Sequence, residues 1–455
     1  MSAYRTEDVT SVIEEMAEAV DERLWDRVET YFASRVVLDY GVPELLTPAD
    51  IVARWRPLLT AFDRTHHVIE DLTVRFEPVD RARLEARFRA DHELAGVRWR
   101  LRGRYESELV LVDSEWKITR MRMIPETSLG DATVVDQARA KAGVSPPAAL
   151  PYRTERITFE VGGERVVGLL HLPAATTTER LPAAGVFGPI TTVKEQVVSH
   201  YAQRLAAAGF AAITIDFRHH GESEGAPRHL ESPARKIEDI RAAIDQLERH
   251  ANVDRDRLSL VGVCAGAGYV AAAAAVDPRV KRVALVAPWL QDARLAEVVY
   301  GQREAFGGLG QGIAALVEAG RQARIRFESD GTTDYVPTAS TVDRRAVVHT
   351  DDAAFLDYHL NQQRGAIPQW ANRFAVMSWP EWLEFDAIAS APLLRQPTLI
   401  IDAEDGLLPE GTRRFAAAMQ QAPRVVLTDD SPFDFYDAAP TIDRASAEVV
   451  AHLRG

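Results

Sequence analysis

The first part of the chain changes from a helical to an alternating pattern of apolar residues. In TEDVTSVIEEMAEAVDERLWDRVETYF the apolar residues recur every three or four positions, which predicts an amphipathic helix. In RLEARFRADHEL and VRWRLRGRYESELVLV every second residue is apolar, which predicts half-buried strands. Helices followed by long antiparallel strands predict an α+β cone, in which a curved sheet wraps over helices.

The later part of the chain has a different rhythm. Short apolar runs alternate with helical segments such as VSHYAQRLAAAGF; the runs are AAGVFG, AAITIDF, LSLVGV, RVALVAP and PTLIIDA. This alternation predicts a doubly wound, mostly parallel sheet. Residues 291–396 interrupt the alternation with many aromatic and charged residues. We expect them to form a mostly helical cap over the carboxyl edge of the sheet, where ligands bind in such folds.

The two patterns meet in PETSLGDATVVDQARAKAGVSPPAALPYR, which has weak periodicity and a Ser-Pro-Pro cluster. These features are typical of a linker. We therefore predict a first domain at residues 1–128, a linker at 129–152 and a second domain at 153–455.

Composition and charge narrow the class of partner. The 455 residues are 46% hydrophobic and 26% charged, and the formal net charge is -14. An acidic chain is a poor ligand for nucleic acid or an anionic membrane, so a small-molecule substrate is expected. One cysteine excludes an internal disulfide, and the acidic N-terminal stretch does not look like a signal peptide. These observations predict a cytoplasmic protein.

Polar residues occupy inward positions of the first predicted domain. Asp21 shares the apolar face of the first helix, His92 is in phase with the apolar residues of its strand, and Tyr40 alternates with them. His66 and His67 precede another strand, where adjacent side chains point in opposite directions, which argues against a metal site. Such a set is either a structural hydrogen-bond network or an acid/base site. No phosphate-binding or dinucleotide motif occurs, so no cofactor is expected.

In SLVGVCAGAGYV, an apolar strand runs through a small-residue turn into a helix. Gly262 and Gly266 flank Cys264 at the apex, in the pattern of a nucleophile elbow. The alternative is a glycine-rich turn with an inert, buried cysteine. If the elbow is real, the helix N-terminus would lower the pKa of the thiol, and the Ala265 amide would be one oxyanion donor.

The first domain resembles the SnoaL-like and scytalone-dehydratase-like members of the nuclear-transport-factor-2-like superfamily, over residues 5–128. Four residues carry the resemblance, in VDERLWDRV, LDYG, THHVI and RADHEL: Asp21, Tyr40, His67 and His92. The dehydratases have a tyrosine where this chain has Val20. The resemblance implies that an imidazole oriented by Asp21 removes a proton α to a carbonyl while Tyr40 stabilises the enolate. Members of this family commonly pair through their sheets, so a homodimer is one expectation.

The second domain resembles the dienelactone-hydrolase-related branch of the α/β-hydrolase family over residues 153–455. The stretches that carry the resemblance are VFGPITTVKEQVVSHYAQRLAAAGFAAITIDFRHHGESEGAPR, GVCAGAG and MSWPEWLEFDAIASAPLLRQPTLIIDAEDGLLP. The resemblance implies a nucleophile at Cys264 and an oxyanion hole made by the amides of Ile190 and Ala265. It also implies a triad acid at Asp405, with Asp402 as the rival.

One member of the implied triad is missing. The family places a histidine shortly before a motif near the C-terminus, and here DDSPFDFYDAAP has Pro432 at that position. His219 is the candidate substitute base, because it follows a core strand, and His359 lies in the expected cap.

Three functional hypotheses follow. The first is an enzyme acting on a polyketide-like carbonyl compound, with an N-terminal dehydratase or cyclase and a C-terminal domain that binds the substrate or is acylated by it. The second is an ester, thioester or lactone hydrolase at Cys264, with a substitute base and a structural N-terminal domain. The third treats the C-terminal domain as a non-catalytic ligand-binding shell.

Overall fold

The computed structural model describes residues 5–40, 43–77, 81–144, 150–175, 179–362 and 364–455. The chain divides into two compact units, Met1–Leu150 and Pro151–Gly455.

The first unit is an α+β domain, as its pattern predicts. Its helices are α1 (Thr6–Asp21), α2 (Trp25–Thr30), α3 (Pro48–Ala61) and α4 (Thr133–Ala142). Its strands are β1 (Phe32–Asp39), β2 (Pro43–Leu46), β3 (Arg64–Glu77), β4 (Arg81–Leu94), β5 (Val97–Val112) and β6 (Glu115–Gly130).

The six strands form one sheet in the order β2-β1-β6-β5-β4-β3, in which only the β1–β6 pair is parallel. A bulge between Arg102 and Gly103 interrupts the β5–β6 register. A Cβ at Gly103 would lie 2.1 Å from the Ile124 carbonyl oxygen, so only glycine permits this close approach. Bulges bend strands, and this one lies in the middle of β5.

The expected linker at 129–152 is only partly irregular. Residues 133–142 form α4, which buries Val134 and Ala138 against Phe62 and Leu94 of the first domain. The stretch TVVDQARAKA is too short to show a clear helical period. The Pro-rich residues after it therefore led to the prediction of a linker. Residues 145–149 of the expected linker lie outside the described residues.

The second unit has the predicted α/β fold. Its strands are β7 (Tyr152–Val161), β8 (Glu164–Pro173), β9 (Leu181–Phe187), β10 (Ala211–Asp216), β11 (Val253–Val263), β12 (Val280–Val286), β13 (Tyr335–Val336), β14 (Ala339–Ser340), β15 (Val348–His349), β16 (Phe374–Ala375), β17 (Thr398–Ala403) and β18 (Arg424–Thr428). Its helices are α5 (Val197–Ala207), α6 (Pro233–Arg249), α7 (Ala265–Val276), α8 (Ala293–Tyr300), α9 (Ile313–Asp330), α10 (Asp357–Leu360), α11 (Trp379–Glu384), α12 (Pro409–Ala418), α13 (Asp434–Asp437) and α14 (Ala439–Arg454).

Eight strands form the main sheet in the order β18-β17-β12-β11-β9-β10-β8-β7. Strand β8 runs antiparallel to both of its neighbours, β7 and β10, and the other neighbouring strands pair in parallel. The insertion expected as a mostly helical cap contains α8 to α11 but also four two-residue strands and irregular chain. Its glycines and prolines end helices early. No helix in the described part of the chain is long and apolar enough to cross a membrane.

Candidate active sites

Asp21 is the last residue of α1, and its carboxylate reaches the start of β3. Three donors converge on it: the Thr65 hydroxyl at 2.9 Å, the His67 amide at 2.6 Å and His67 Nδ1 at 2.7 Å. A carboxylate at a helix C-terminus is disfavoured by the helix dipole, so these donors compensate for its position. Burial would raise the pKa of Asp21, but the hydrogen bonds and charge of His67 outweigh burial and lower it.

His92 faces His67 from the neighbouring strand. The two rings are nearly perpendicular, with centroids 5.8 Å apart. His92 is 8% exposed, and its Nδ1 makes no hydrogen bond of good geometry to any described residue. Burial, and next the charge of His67, lower the pKa of His92 to about 4. His92 is therefore neutral at pH 7.

A cavity of about 280 Å³ opens beside these side chains. Its walls are mainly apolar and aromatic, and the polar groups that reach it are Tyr40, Arg54, His67, His92, Tyr105 and Arg139. Val20, which stands where the dehydratases have a tyrosine, lines the same cavity with its apolar side chain. The structure thus places His67, His92 and Tyr40 at the wall of one cavity. The carboxylate of Asp21 is hydrogen-bonded to His67.

Tyr40 and Tyr105 lie on different walls of the cavity. Tyr40 is 42% exposed and stacks parallel to Trp55, with ring centroids 6.3 Å apart. Tyr105 is buried and stacks on Phe88 at 4.3 Å. Burial, and next the charge of Asp21, raise the pKa of Tyr105. Each phenol therefore stays protonated near neutral pH.

Sequence reasoning missed three polar contributors to this site. Thr65 lies two residues before His67 on β3. Because side chains two positions apart on a strand point to the same face, the sequence could have indicated that Thr65 faces inward with His67. Arg54 comes from α3, and Arg139 comes from α4 in the expected linker. For Arg139 the sequence offered no signal, because its helix was not predicted.

The second site surrounds the turn between β11 and α7. Cys264 has φ +55°, in the left-handed region. A Cβ at Gly262 would lie 2.6 Å from the Ala267 Cα, and one at Gly266 would lie 2.3 Å from the Phe187 carbonyl oxygen. The flanking glycines are therefore required by close packing of strand, helix and the loop after β9, as in a nucleophile elbow.

A tyrosine and the helix end both act on the Cys264 thiol. Hydrogen bonding with the Tyr436 side chain and with the Ala265 amide would lower the pKa of the thiol, and burial and the same contact with Cys264 raise the pKa of Tyr436. The helix N-terminus was expected to lower the pKa of this thiol. Instead, burial raises it to about 11, and the two hydrogen bonds offset only part of that rise. The amide at the helix N-terminus acts in the expected direction, but desolvation around the thiol outweighs it.

The predicted oxyanion loop lies beside the elbow. Ile190 follows β9 and packs against the main core, and the adjacent Phe187 and Gly188 carbonyls abut Gly266. The next amide, that of Thr191, donates to the buried Glu231 carboxylate at 3.0 Å. The roles of the Ile190 and Ala265 amides stay predictions.

The two candidate acids differ in burial. Asp405 is exposed, whereas Asp402 is buried at the end of β17. Asp402 accepts hydrogen bonds from the Thr412 hydroxyl at 3.0 Å and from the Ala403 amide at 2.9 Å. Burial raises the pKa of Asp402 to about 6, and its charge acts on the Cys264 thiol. The geometry favours Asp402 over Asp405 as the acid of this site.

The candidate substitute bases lie away from the sulfur's hydrogen bonds. His219 Nδ1 lies 2.9 Å from the Pro227 carbonyl oxygen, and burial lowers the pKa of His219 to about 4. The ring of His359, in the cap, is perpendicular to the ring of Phe433, and the ring centroids are 5.3 Å apart. Phe433 directly follows Pro432 in the chain. Neither imidazole is a hydrogen-bond partner of Cys264 in the described residues.

Comparisons with known proteins agree with this two-part architecture. Residues 3–122 match the model of the SnoaL-like domain, and residues 194–314 match the model described as serine aminopeptidase, S33. The Escherichia coli protein YcjY is 34% identical over 232 residues, which cover 50% of this chain and 73% of YcjY. The Aspergillus aculeatus protein named thiohydrolase aneE is 30% identical over 139 residues, or 42% of its length.

A Pseudomonas aeruginosa protein, PA2218, is similar in both sequence and structure. It is 30% identical over 295 residues, which cover 62% of this chain and 76% of PA2218. The crystal structure of PA2218 superposes with a TM-score of 0.58 and 26% identity, covering 68% of this chain and 96% of that chain. The chain therefore belongs to the α/β-hydrolase family of YcjY and PA2218, and it carries a SnoaL-like domain at its N-terminus.

Proposed function

We propose that the protein is a two-domain enzyme acting on a polyketide-like carbonyl compound, with an acid/base dehydratase or cyclase in the SnoaL-like domain. The observation that carries the proposal is the Asp21–His67 pair at the wall of an apolar cavity that also receives His92. A purely structural Asp–His pair has no need of an open cavity beside its imidazole.

The chemistry follows from the protonation states of the side chains. The Asp21 carboxylate accepts the Nδ1 proton of His67, so Nε2 of His67 is the free base. His67 removes a proton α to the substrate carbonyl, and the Tyr40 hydroxyl donates to the enolate oxygen. The imidazolium then protonates the β-hydroxyl as it leaves as water. In a cyclisation, the same enolate attacks a second carbonyl of the substrate instead.

The hydrolase-family domain contributes a different chemistry in this proposal. In this step the Cys264 sulfur bonds to the acyl carbon of an activated ester or thioester as the bond to the leaving group breaks. The Tyr436 hydroxyl relays the proton, giving its own to the leaving group and taking up the proton of the thiol, so it stays neutral. At a pKa of about 11, roughly one thiol in 10,000 is ionised at pH 7, so this transfer is slow. Because no imidazole in the described part of the chain bonds to the sulfur, hydrolysis of the acyl-enzyme is slower still.

A second candidate function is hydrolysis of an ester, thioester or lactone, or acyl transfer, at Cys264. The elbow geometry favours it, since the glycines that expose a nucleophile are kept. Relatives of the second domain carry the names thiohydrolase and acyltransferase, although the chain covers only 42% of each of those proteins. A non-catalytic binding shell is the remaining alternative, and the buried, protonated thiol supports it.

One substrate class separates these functions. A 3-hydroxyacyl thioester of N-acetylcysteamine offers both a β-hydroxyl to eliminate and a thioester to cleave. We expect Asp21→Asn and His67→Ala to abolish formation of the unsaturated thioester, and Cys264→Ala to leave that elimination unchanged. Elimination that survives both N-terminal substitutions would contradict the main proposal. Rapid, repeated thiol release that depends on Cys264 would establish the second candidate instead.

A further inference from the structure

Helix α4 adds to the cavity a wall that the SnoaL-like domain alone does not contain. The family match ends at residue 122, and α4 spans Thr133–Ala142. Val135 and Arg139, one helical turn apart, both line the cavity. The specificity of the cavity therefore depends on a segment outside the shared family domain.

The helix is firmly held against the first domain. Val134 and Ala138 are fully buried and pack with Phe62 at the end of α3. Lys141 Nζ lies 3.4 Å from the Asp63 carboxylate. The helix ends on Gly143, which adopts the left-handed conformation of a C-terminal cap. These contacts fix the position of Arg139 beside the cavity.

The two cations of the cavity are neutralised to different degrees. Arg54 makes a bidentate pair with Glu44, at 2.8 and 2.7 Å. Among the described residues, Arg139 contacts one carboxylate, that of Asp136 at 3.3 Å, and the Asp136 side chain is 79% exposed. A guanidinium beside an apolar wall is stabilised when it binds an anion, and carboxylates suit its planar donors. Within the part of the chain that the structure describes, the Arg139 guanidinium can therefore still bind an anion, whereas Glu44 already occupies the guanidinium of Arg54.

We propose that Arg139 binds a carboxylate of the substrate and that α4 is the specificity element of the N-terminal site. The proposal rests on the function proposed above for the cavity. A substrate with a carboxylate at one end and an enolisable carbonyl at the other would span from Arg139 to His67, since both side chains line the same cavity. The substrate class is therefore a keto or hydroxy acid rather than a neutral ketone.

Binding of a matched pair of probes tests this assignment. 2-Naphthoate and methyl 2-naphthoate have the same ring system, and only the first is an anion. By isothermal titration calorimetry of the full chain, we expect the carboxylate to bind at least ten-fold more tightly than the ester. Arg139→Gln should remove this preference, while Arg54→Gln should retain it. Asp136→Asn, which removes the competing carboxylate, should tighten binding of 2-naphthoate.

Two results would overturn the assignment. Equal affinity of the wild-type protein for the two probes would show that no anion site exists in the cavity. Loss of the preference in Arg54→Gln but not in Arg139→Gln would place the anion on α3. Asp21→Asn should keep the preference while it abolishes turnover, so failure of the anion site and failure of the proposed reaction give different results.

Discussion

His67 donates two hydrogen bonds to Asp21, through its amide at 2.6 Å and its ring Nδ1 at 2.7 Å. One carboxylate therefore fixes the positions of both the backbone and the imidazole ring of the proposed base. Asp21→Asn removes the negative charge and replaces one acceptor oxygen with a donor. We expect the rate of enolisation, measured as exchange of the α proton for deuterium by NMR, to fall about 100-fold or more.

Thr65→Val is the matched control for that change. It removes the hydroxyl that donates to Asp21 at 2.9 Å but leaves both His67 contacts in place. We expect a loss of no more than about ten-fold, which corresponds to the energy of one hydrogen bond. An Asp21→Asn variant as active as Thr65→Val would show that the pair is structural.

The hydrogen bond from Tyr436 to the Cys264 sulfur has a consequence for thiol reactivity. Tyr436→Phe removes a donor that stabilises the thiolate, so the pKa of Cys264 should rise further. We expect alkylation by iodoacetamide at pH 8, followed by mass spectrometry, to slow several-fold. Tyr201→Phe is the control, because its buried hydroxyl bonds the Phe435 carbonyl and not the sulfur. Faster alkylation of Tyr436→Phe than of this control would contradict the assigned hydrogen bond.

Pro432 occupies the position at which the resemblance predicts the triad histidine, and it precedes Phe433, whose ring contacts that of His359. In the wild type we expect an activated thioester to leave a stoichiometric, slowly reversed adduct on Cys264, since no imidazole among the described residues is bonded to the sulfur to activate water. Pro432→His should increase thioester hydrolysis, and Pro432→Ala should not. The adduct is measured by intact-protein mass and the hydrolysis by released thiol. Multiple turnover by the wild type that survives loss of both His219 and His359 would reveal an unidentified base.

The burial of His171 should make the stability of the second unit depend on pH. The residue is fully buried in β8, its Nδ1 lies 3.0 Å from the Thr154 hydroxyl, and burial lowers its pKa to about 4 from an ordinary value of 6.5. Between these values the unfolded chain binds the proton and the folded chain does not. The free energy of unfolding should therefore fall as the pH drops from 6.5 to 4, and be unaffected by this group above that window.

The variant His171→Gln removes this titration. We expect the slope of unfolding free energy against pH, from urea unfolding between pH 6.5 and 4, to decrease by up to about 1.4 kcal/mol per pH unit. An unchanged slope would show that His171 is protonated in the folded state.

The patterns along the chain predicted the first helix and long strands of the first domain and the alternating strands and helices of the second, but not α4 or the short strands of the insertion. Period alone placed Asp21, His92 and Tyr40 on inward faces, the family resemblance singled out His67, and a small-residue turn between strand and helix located the elbow at Cys264. These inferences are local, because side-chain direction within one element follows from its backbone geometry.

The tertiary structure decided what each of these groups meets. Tyr436 is 172 positions from Cys264 in the chain, and no periodicity relates the two. Arg139 joined the cavity only because α4 packs back on α3 and the sheet. Burial favours Asp402 as the acid of the second site, and burial raises the pKa of the Cys264 thiol. Several segments that are distant in the sequence together produce this burial. Desolvation is a property of the packed environment, so it could not be read from residue types and spacing.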